Sequence, residues 1–276
     1  VSADRVLAPF GRRRLEITGS DRYGPYVVIT CADPGGPRPR AGQFYMLAAA
    51  ERWGGGDGER PFLPRAFSVL RAPAGGDRLA FMLHVVGPGT ARLSELEPPD
   101  GLLVLGPLGI PFAPPAAGRR PLLVGGGVGI APLAILADEL SATGTGTAAA
   151  PIVMLGFRDV EHAAGAALIP GAVLATDDGS AGHAGLVTDL LAAQLHLDDH
   201  AEVYACGPPP MLEAVRLLCA ERGVPAQLAL ESGMACGYGA CFGCVVRTRD
   251  GYVRLCVDGP VLAASALESA VGVGAG

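Results

Sequence analysis

Between residues 15 and 112 the chain alternates short apolar runs with turn-forming clusters. The runs at 26–30, 43–47, 66–70 and 79–85 read as strands, divided by Asp33-Pro34-Gly35-Gly36, Gly54-Gly55-Gly56 and Gly75-Gly76. Closely spaced strands with Gly/Pro turns predict an antiparallel barrel or sandwich. Beyond Arg120 the rhythm changes. Apolar runs at 121–124, 152–155, 172–175 and 202–205 predict strands, and 131–140, 187–195 and 211–222 predict helices. Alternating strands and helices imply a doubly wound parallel sheet. The stretch 143–150 reads as a surface connection, and from about residue 228 the chain turns Gly-rich and Cys-rich. The expected organisation is a β-barrel domain over 1–115, an α/β domain over 116–226 and a small cysteine-bearing module over 227–276.

Composition narrows what such a chain can do. Of its 276 residues half are hydrophobic and 17% charged, enough for substantial cores and too apolar for wholesale disorder. A net charge of −6 argues against a nucleic-acid binder, which needs a basic stripe to displace counterions. The apolar stretch 121–137 is interrupted by Gly125-Gly126-Gly127, Gly129 and Pro132, so it reads as a buried strand entering a helix and not as a membrane span. With no recognisable signal peptide, a cytoplasmic protein is expected.

Seven cysteines, four of them crowded near the C-terminus, match a metal or cluster site better than a disulfide framework. Cys236, Cys241, Cys244 and Cys256 have the spacing C-x4-C-x2-C-x11-C, that of plant-type [2Fe–2S] ligands. Gly237, Gly239 and Gly243 would let backbone N–H groups approach the anionic cluster. Four thiolates also suit structural zinc, but zinc sites usually pair two short knuckles, and here the fourth cysteine stands alone. Cys31 and Cys219 fall in apolar segments and read as core.

Gly125-Gly126-Gly127-Val128-Gly129-Ile130-Ala131-Pro132 joins a strand to a helix. Glycines there admit a pyrophosphate, and the helix start adds N–H donors; a tight turn alone would also need glycine. Cys206-Gly207-Pro208-Pro209-Pro210-Met211 leaves a second strand on the same side of the sheet, with Cys206 toward a nicotinamide or simply in the core. Asp177 and Asp178, after a third strand, could accept ribose hydroxyls and repel a 2′-phosphate, favouring NAD over NADP. Arg158 could instead meet that phosphate, and the two aspartates could form a solvated turn.

Arg65-Ala66-Phe67-Ser68 lies on a predicted strand, and Gly87-Pro88-Gly89-Thr90 is a turn that enters a helix. An arginine can grip a pyrophosphate through paired hydrogen bonds, and a Gly-Thr helix start can hold a phosphate. In this order, R-x-[YF]-S, G-x-G-T, GGGxGxAP and CGPxxM resemble the ferredoxin–NADP reductase superfamily over most of the chain. The run 176–188 and the cysteine segments 231–244 and 256–262 narrow the likeness to the electron-transfer subunits of class 1B dihydroorotate dehydrogenases. Those subunits often read R-P-[IL]-S, from which Ala66 and Phe67 depart.

The resemblance implies FAD, NAD and a [2Fe–2S] cluster on one chain. It places Arg65 on the FAD pyrophosphate, Gly89 and Thr90 at a phosphate, Phe67 against the flavin and Ser68 near its N5. It also has Met82, Leu83 and His84 lining the flavin. The implied partner is an FMN-containing catalytic subunit that oxidises dihydroorotate, in a heterotetramer of two such chains flanking a catalytic dimer. A flavin must stand between a hydride donor and a one-electron cluster, and such a relay needs no general acid or base from this chain. Two other readings remain: the reductase subunit of a ferredoxin:NADP or hydrogenase-type complex, and a zinc-stabilised binding protein without enzymatic activity.

Overall fold

The computed structural model describes residues 12–54, 61–73, 77–142, 150–198 and 200–271. The glycine turns expected at 55–56 and 75–76, and most of the connection expected at 143–150, lie outside the described residues.

Six antiparallel strands close a barrel in the order β1-β2-β5-β4-β3-β6. They are β1 (Arg13–Tyr23), β2 (Tyr26–Ala32), β3 (Phe44–Ala49), β4 (Arg65–Arg71), β5 (Arg78–His84) and β6 (Gly101–Leu108), with helix α1 (Pro88–Ser94) between the last two. Pairing of β1 with β6, from Arg13↔Val104 to Glu16↔Gly101, closes the barrel and leaves it no free edge there. Strand alternation fills it: Leu15 and Ile17 point inward while Arg14 and Glu16 face solvent. The β1–β2 hairpin turns at Gly24, with φ of +57°, where a Cβ would collide with the carbonyl of Glu161.

The second sheet has the order β10-β9-β8-β7-β11-β12-β15. Its elements are β7 (Arg120–Gly126), α2 (Ile130–Ala142), β8 (Ile152–Phe157), α3 (Val160–Ala163), β9 (Val173–Thr176), β10 (His183–Ala184), α4 (Val187–Leu197), β11 (Ala201–Cys206), α5 (Pro209–Arg222) and β12 (Ala226–Ala229). These strands are parallel, with near-continuous apolar runs as expected of strands covered on both faces. The chain leaves β7 toward β8 and returns on its other side as β11. Such a reversal opens a crevice at the carboxyl ends of the two central strands. The next hairpin is β13 (Val245–Thr248) and β14 (Gly251–Arg254), followed by α6 (Leu255–Asp258). The last strand, β15 (Val261–Ala263), then joins the sheet antiparallel to β12, with Leu228 opposite Leu262. The barrel and the sheet meet where α2 packs on β4 and Glu139 Oε1 accepts a hydrogen bond from the Ala41 N–H at 3.0 Å. Among the described residues no helix is long and apolar enough to cross a membrane.

Candidate functional site

The first part of the site is a parting between two barrel strands. The β4–β5 ladder covers only Val69↔Phe81 and Arg71↔Ala80. Toward Arg65–Ser68 and Met82–His84 the two strands separate, although β4 stays paired with β3 through Phe44↔Ser68 and Met46↔Ala66. Ala66 is exposed, Ser68 half-buried, and Phe67 packs partly on the barrel core. Arg65 Nη1 donates to the Leu63 carbonyl at 2.5 Å, and its Cζ stands 5.9 Å from the centre of the Trp53 ring. The guanidinium lies over Gly89, which brings the two expected phosphate-binding motifs together. Thr90 is placed differently from the expectation. Its hydroxyl accepts from the N–H groups of Val86 and Gly87 and donates to the Gly87 carbonyl, so it is occupied in capping α1. The first-turn N–H groups of that helix are what remain for a phosphate.

Met82 and Leu83 also depart from the expected lining. Both side chains are buried in the core, Met82 near Gly165 of the second half of the chain. His84 lines a cavity. Its ring meets Tyr26 at 5.4 Å and His162 at 5.7 Å, both edge to face. Burial lowers the His84 pKa, as do the neighbouring His162 and Arg158.

That cavity, about 450 Å³, is the crevice at the strand reversal, lined among others by Gly126, Gly127, Asp177, Pro208 and Met211. Gly129 is needed for loop contact: a Cβ there would stand 2.5 Å from the Cys206 carbonyl oxygen. Gly207, with φ of +159°, is also crowded: a Cβ there would stand 2.6 Å from Met211 Cε and 3.0 Å from Gly126 N. Gly125 faces inward, against Leu133 and Leu155, and serves packing. Cys206 sits beside Gly125 in the sheet with its thiol in the core. Burial pushes that thiol well above its ordinary pKa, and nearby Glu231 pushes it further. Glu231 keeps contact with solvent yet is crowded enough that desolvation raises its own carboxyl.

The two aspartates separate in role. Asp177 lines the cavity, whereas Asp178 Oδ1 accepts from the N–H and hydroxyl of Ser180 at 2.9 and 2.6 Å and closes a turn. These bonds hold the Asp178 pKa down. Arg158 is fixed by a residue that no sequence pattern exposed. Its Nη2 lies 2.6 Å from His162 Nε2, while His162 Nδ1 lies 2.7 Å from Asp159 Oδ1. Arginine only donates, so His162 accepts at Nε2 and carries its proton on Nδ1 toward the carboxylate. Tyr26 and His162 are recognisable only once β2, β5 and α3 are brought together.

The four cysteines of the last module occupy one loop and the start of α6. They stand as two pairs, Cys236 with the Cys241 thiol and Cys256 with that of Cys244. The Cys256 N–H also donates to Cys244 Sγ at 3.4 Å. Among the described residues no three His, Cys, Asp or Glu side chains gather as for a single metal ion. Two thiol pairs suit a two-iron cluster, in which each iron takes one pair. At Cys236 burial raises the pKa, but N–H donors of Cys241, Tyr238 and Ala240 and the Cys241 side chain outweigh it, bringing the thiol down to about 6. Burial and the neighbouring sulfurs of Cys244 and Cys236 push Cys256 up to about 12. Gly237 and Gly239 have φ of +81° and +88°, and a Cβ on Gly237 would stand 2.5 Å from Met46 Cγ. Gly243 is different, since a Cβ there would find only ordinary contacts. Cys31 and Cys219 are buried in the cores, which lifts both to about 12.

The family described as the iron–sulfur cluster binding domain of dihydroorotate dehydrogenase B matches residues 231–268. The dihydroorotate dehydrogenase B (NAD(+)) electron transfer subunit of Geobacillus thermodenitrificans (strain NG80-2) is 39% identical over 232 residues, covering 81% of this chain and 84% of the relative. The subunit of that name from Clostridium acetobutylicum is 35% identical over 230 residues, covering 83% and 86%. Among solved structures, a chain of the NADH-dependent reduced ferredoxin-NADP oxidoreductase superposes with a TM-score of 0.75 at 26% identity, covering 97% of this chain and 92% of that one. Phthalate dioxygenase reductase, at 17% identity and a TM-score of 0.61, shares the fold.

Proposed function

The chain belongs to the family of dihydroorotate dehydrogenase B electron transfer subunits, and we propose that it passes electrons between an FMN-containing, dihydroorotate-oxidising partner and NAD. It is the electron-transfer part of an oxidoreductase, using FAD, a [2Fe–2S] cluster and NAD. FAD, when bound, exchanges a hydride with NAD and single electrons with the cluster.

One observation carries the reading. Gly237 of the cysteine loop rests on Met46 of β3, and Met46 is the ladder partner of Ala66 in the Arg65–Ser68 motif. The loop that holds the thiols therefore abuts the strand beside the expected flavin edge, while the crevice opens on the far side of that edge through His84. In this reading Arg65 binds the FAD pyrophosphate with the α1 N–H groups, and Ser68 presents its hydroxyl toward the flavin ring. Gly126, Gly127 and the start of α2 receive the NAD pyrophosphate, Asp177 orients a ribose, and Pro208 and Met211 shape the nicotinamide end. Cys236, Cys241, Cys244 and Cys256 hold the cluster. The assembly is a heterotetramer in the cytoplasm, two of these chains flanking a catalytic dimer.

The test is dihydroorotate-dependent NAD⁺ reduction by the complex purified anaerobically through a tag on this chain. Activity lost on Cys236→Ser supports both carriers and partner. NADH-driven dye reduction without any dihydroorotate activity would discard the partner and retain the reductase. That outcome would favour the second reading, a subunit of a ferredoxin:NADP-type complex, for which the full-length superposition on such a chain speaks.

A further inference from the structure

We propose that Arg254 is a positioning residue for the iron–sulfur loop and that its charge raises the cluster's reduction potential; this rests on the cluster reading above. Arg254 ends β14, two residues before Cys256. Its Nη1 donates to the Gly239 carbonyl at 3.0 Å, and its Cζ stands 5.1 Å from the centre of the Phe242 ring. Gly239 and Phe242 both lie within the loop that carries Cys236, Cys241 and Cys244. One side chain thus ties the element of the fourth cysteine to the loop of the other three.

Both contacts fall where the loop backbone is unusual. Gly239 has φ of +88°, and a Cβ there would stand 2.6 Å from Val257 Cγ2 and 3.3 Å from Arg254 Nη1. Phe242 has φ of +60°; among the described residues only Arg52 is another non-glycine with positive φ. A phenylalanine in the left-handed region is disfavoured, and its ring is largely exposed, so burial does not hold it there. The guanidinium over the ring is a contact that favours this conformation. Lysine has no flat face and no fork with which to stack and reach a carbonyl together.

The charge acts in the same place. A cluster on four thiolates is anionic and gains further negative charge on reduction, so a fixed cation beside its loop favours the reduced form. The Arg254 guanidinium is that cation. Its counterion Asp258 offsets it only in part, because Nε and Oδ2 are 3.8 Å apart and both side chains are solvent-accessible. Asp258 Oδ2 also accepts the Arg254 N–H at 2.9 Å, which fixes the start of α6.

The experiment is a redox titration of the full-length holoprotein, following the cluster by EPR and the FAD by visible absorbance, in wild type, Arg254→Gln and Arg254→Lys. Arg254→Gln is expected to shift the cluster midpoint to more negative potential and leave the FAD couple where it was. A cluster midpoint unmoved in Arg254→Gln would overturn the proposal. If Arg254→Gln takes up no cluster, Arg254→Lys decides: it keeps the charge, so its midpoint should stay near wild type while iron is lost to a chelator several-fold faster. A lysine variant that holds its iron as firmly as wild type overturns the proposal. A wild-type protein without a [2Fe–2S] signal would instead sink the cluster reading itself.

Discussion

The Arg65 guanidinium rests directly on Gly89: a Cβ at position 89 would stand 2.6 Å from Nε and 2.9 Å from Cζ. Moving the arginine aside would cost its contacts with the Leu63 carbonyl and the Trp53 ring. Gly89→Ala should therefore displace the group proposed to grip the pyrophosphate. A charge-assisted hydrogen bond contributes about 1.5–3 kcal/mol, so FAD should bind roughly 10- to 100-fold more weakly. Trp53 is the chain's single tryptophan, and quenching of its fluorescence during FAD titration gives the affinity. Wild-type affinity in Gly89→Ala would remove Arg65 from the cofactor site.

Serine at any of Cys236, Cys241, Cys244 or Cys256 should abolish the cluster's visible absorbance and EPR signal while FAD stays bound. NADH-dependent dye reduction through FAD should survive. Cys31→Ser and Cys219→Ser are the controls, since both thiols are in the cores. They should lose stability by about 1–3 kcal/mol, the cost of burying a hydroxyl without a full set of partners, and keep the cluster. Iron analysis of the six variants separates the two groups, and cluster loss from Cys31→Ser or Cys219→Ser would contradict the assignment.

Asp177 and Asp178 should behave differently despite being neighbours. Asp177→Asn removes the carboxylate that faces the crevice and should narrow the preference for NADH over NADPH, read as the ratio of kcat/KM values. Asp178→Asn leaves the crevice alone but weakens the Ser180 turn. It should lower the melting temperature with little change in that ratio. The opposite pattern would exchange their roles.

Glu213 predicts a pH dependence. The Arg216 side chain first, and then the Ala270 N–H and the Ser269 hydroxyl, bring its carboxyl down to about 2 against the opposing effect of desolvation. A depressed carboxyl pKa stabilises the fold above the unfolded value, near 4.5, and the contribution disappears as pH falls through about 2. Allowing for solvent screening, it is on the order of 2 kcal/mol. The stability difference between wild type and Glu213→Gln should be full at pH 6 and shrink steadily toward pH 2. A difference that does not change with pH would place Glu213 outside this linkage.

Strands and helices with strong periods were readable from the chain. The apolar runs at 26–30, 43–47, 66–70 and 79–85 became β2 to β5, and 131–140 became α2. Apolar alternation could not choose between barrel and sandwich, because closure depends on β1 meeting β6 across about ninety residues of chain. Met82 and Leu83, which the resemblance places at the flavin, have their side chains in the core, a burial that local pattern does not show. The cysteine spacing is legible because ligation of a cluster, as proposed for these four, would fix it in sequence. Arg254, His162 and Tyr26 act through tertiary neighbours, and nothing in their immediate sequence marks them.

The strand that follows the last cysteine is woven into the nucleotide-binding sheet, with Leu262 opposite Leu228. A cluster on a tethered arm could swing between donor and acceptor, as a shuttle does. Here any swing would first have to unzip β15 from β12, and the Leu230 N–H from the Pro260 carbonyl, bonded at 2.9 Å. The cluster is therefore a stationary terminal, and whatever exchanges electrons with it must dock close by and hold still.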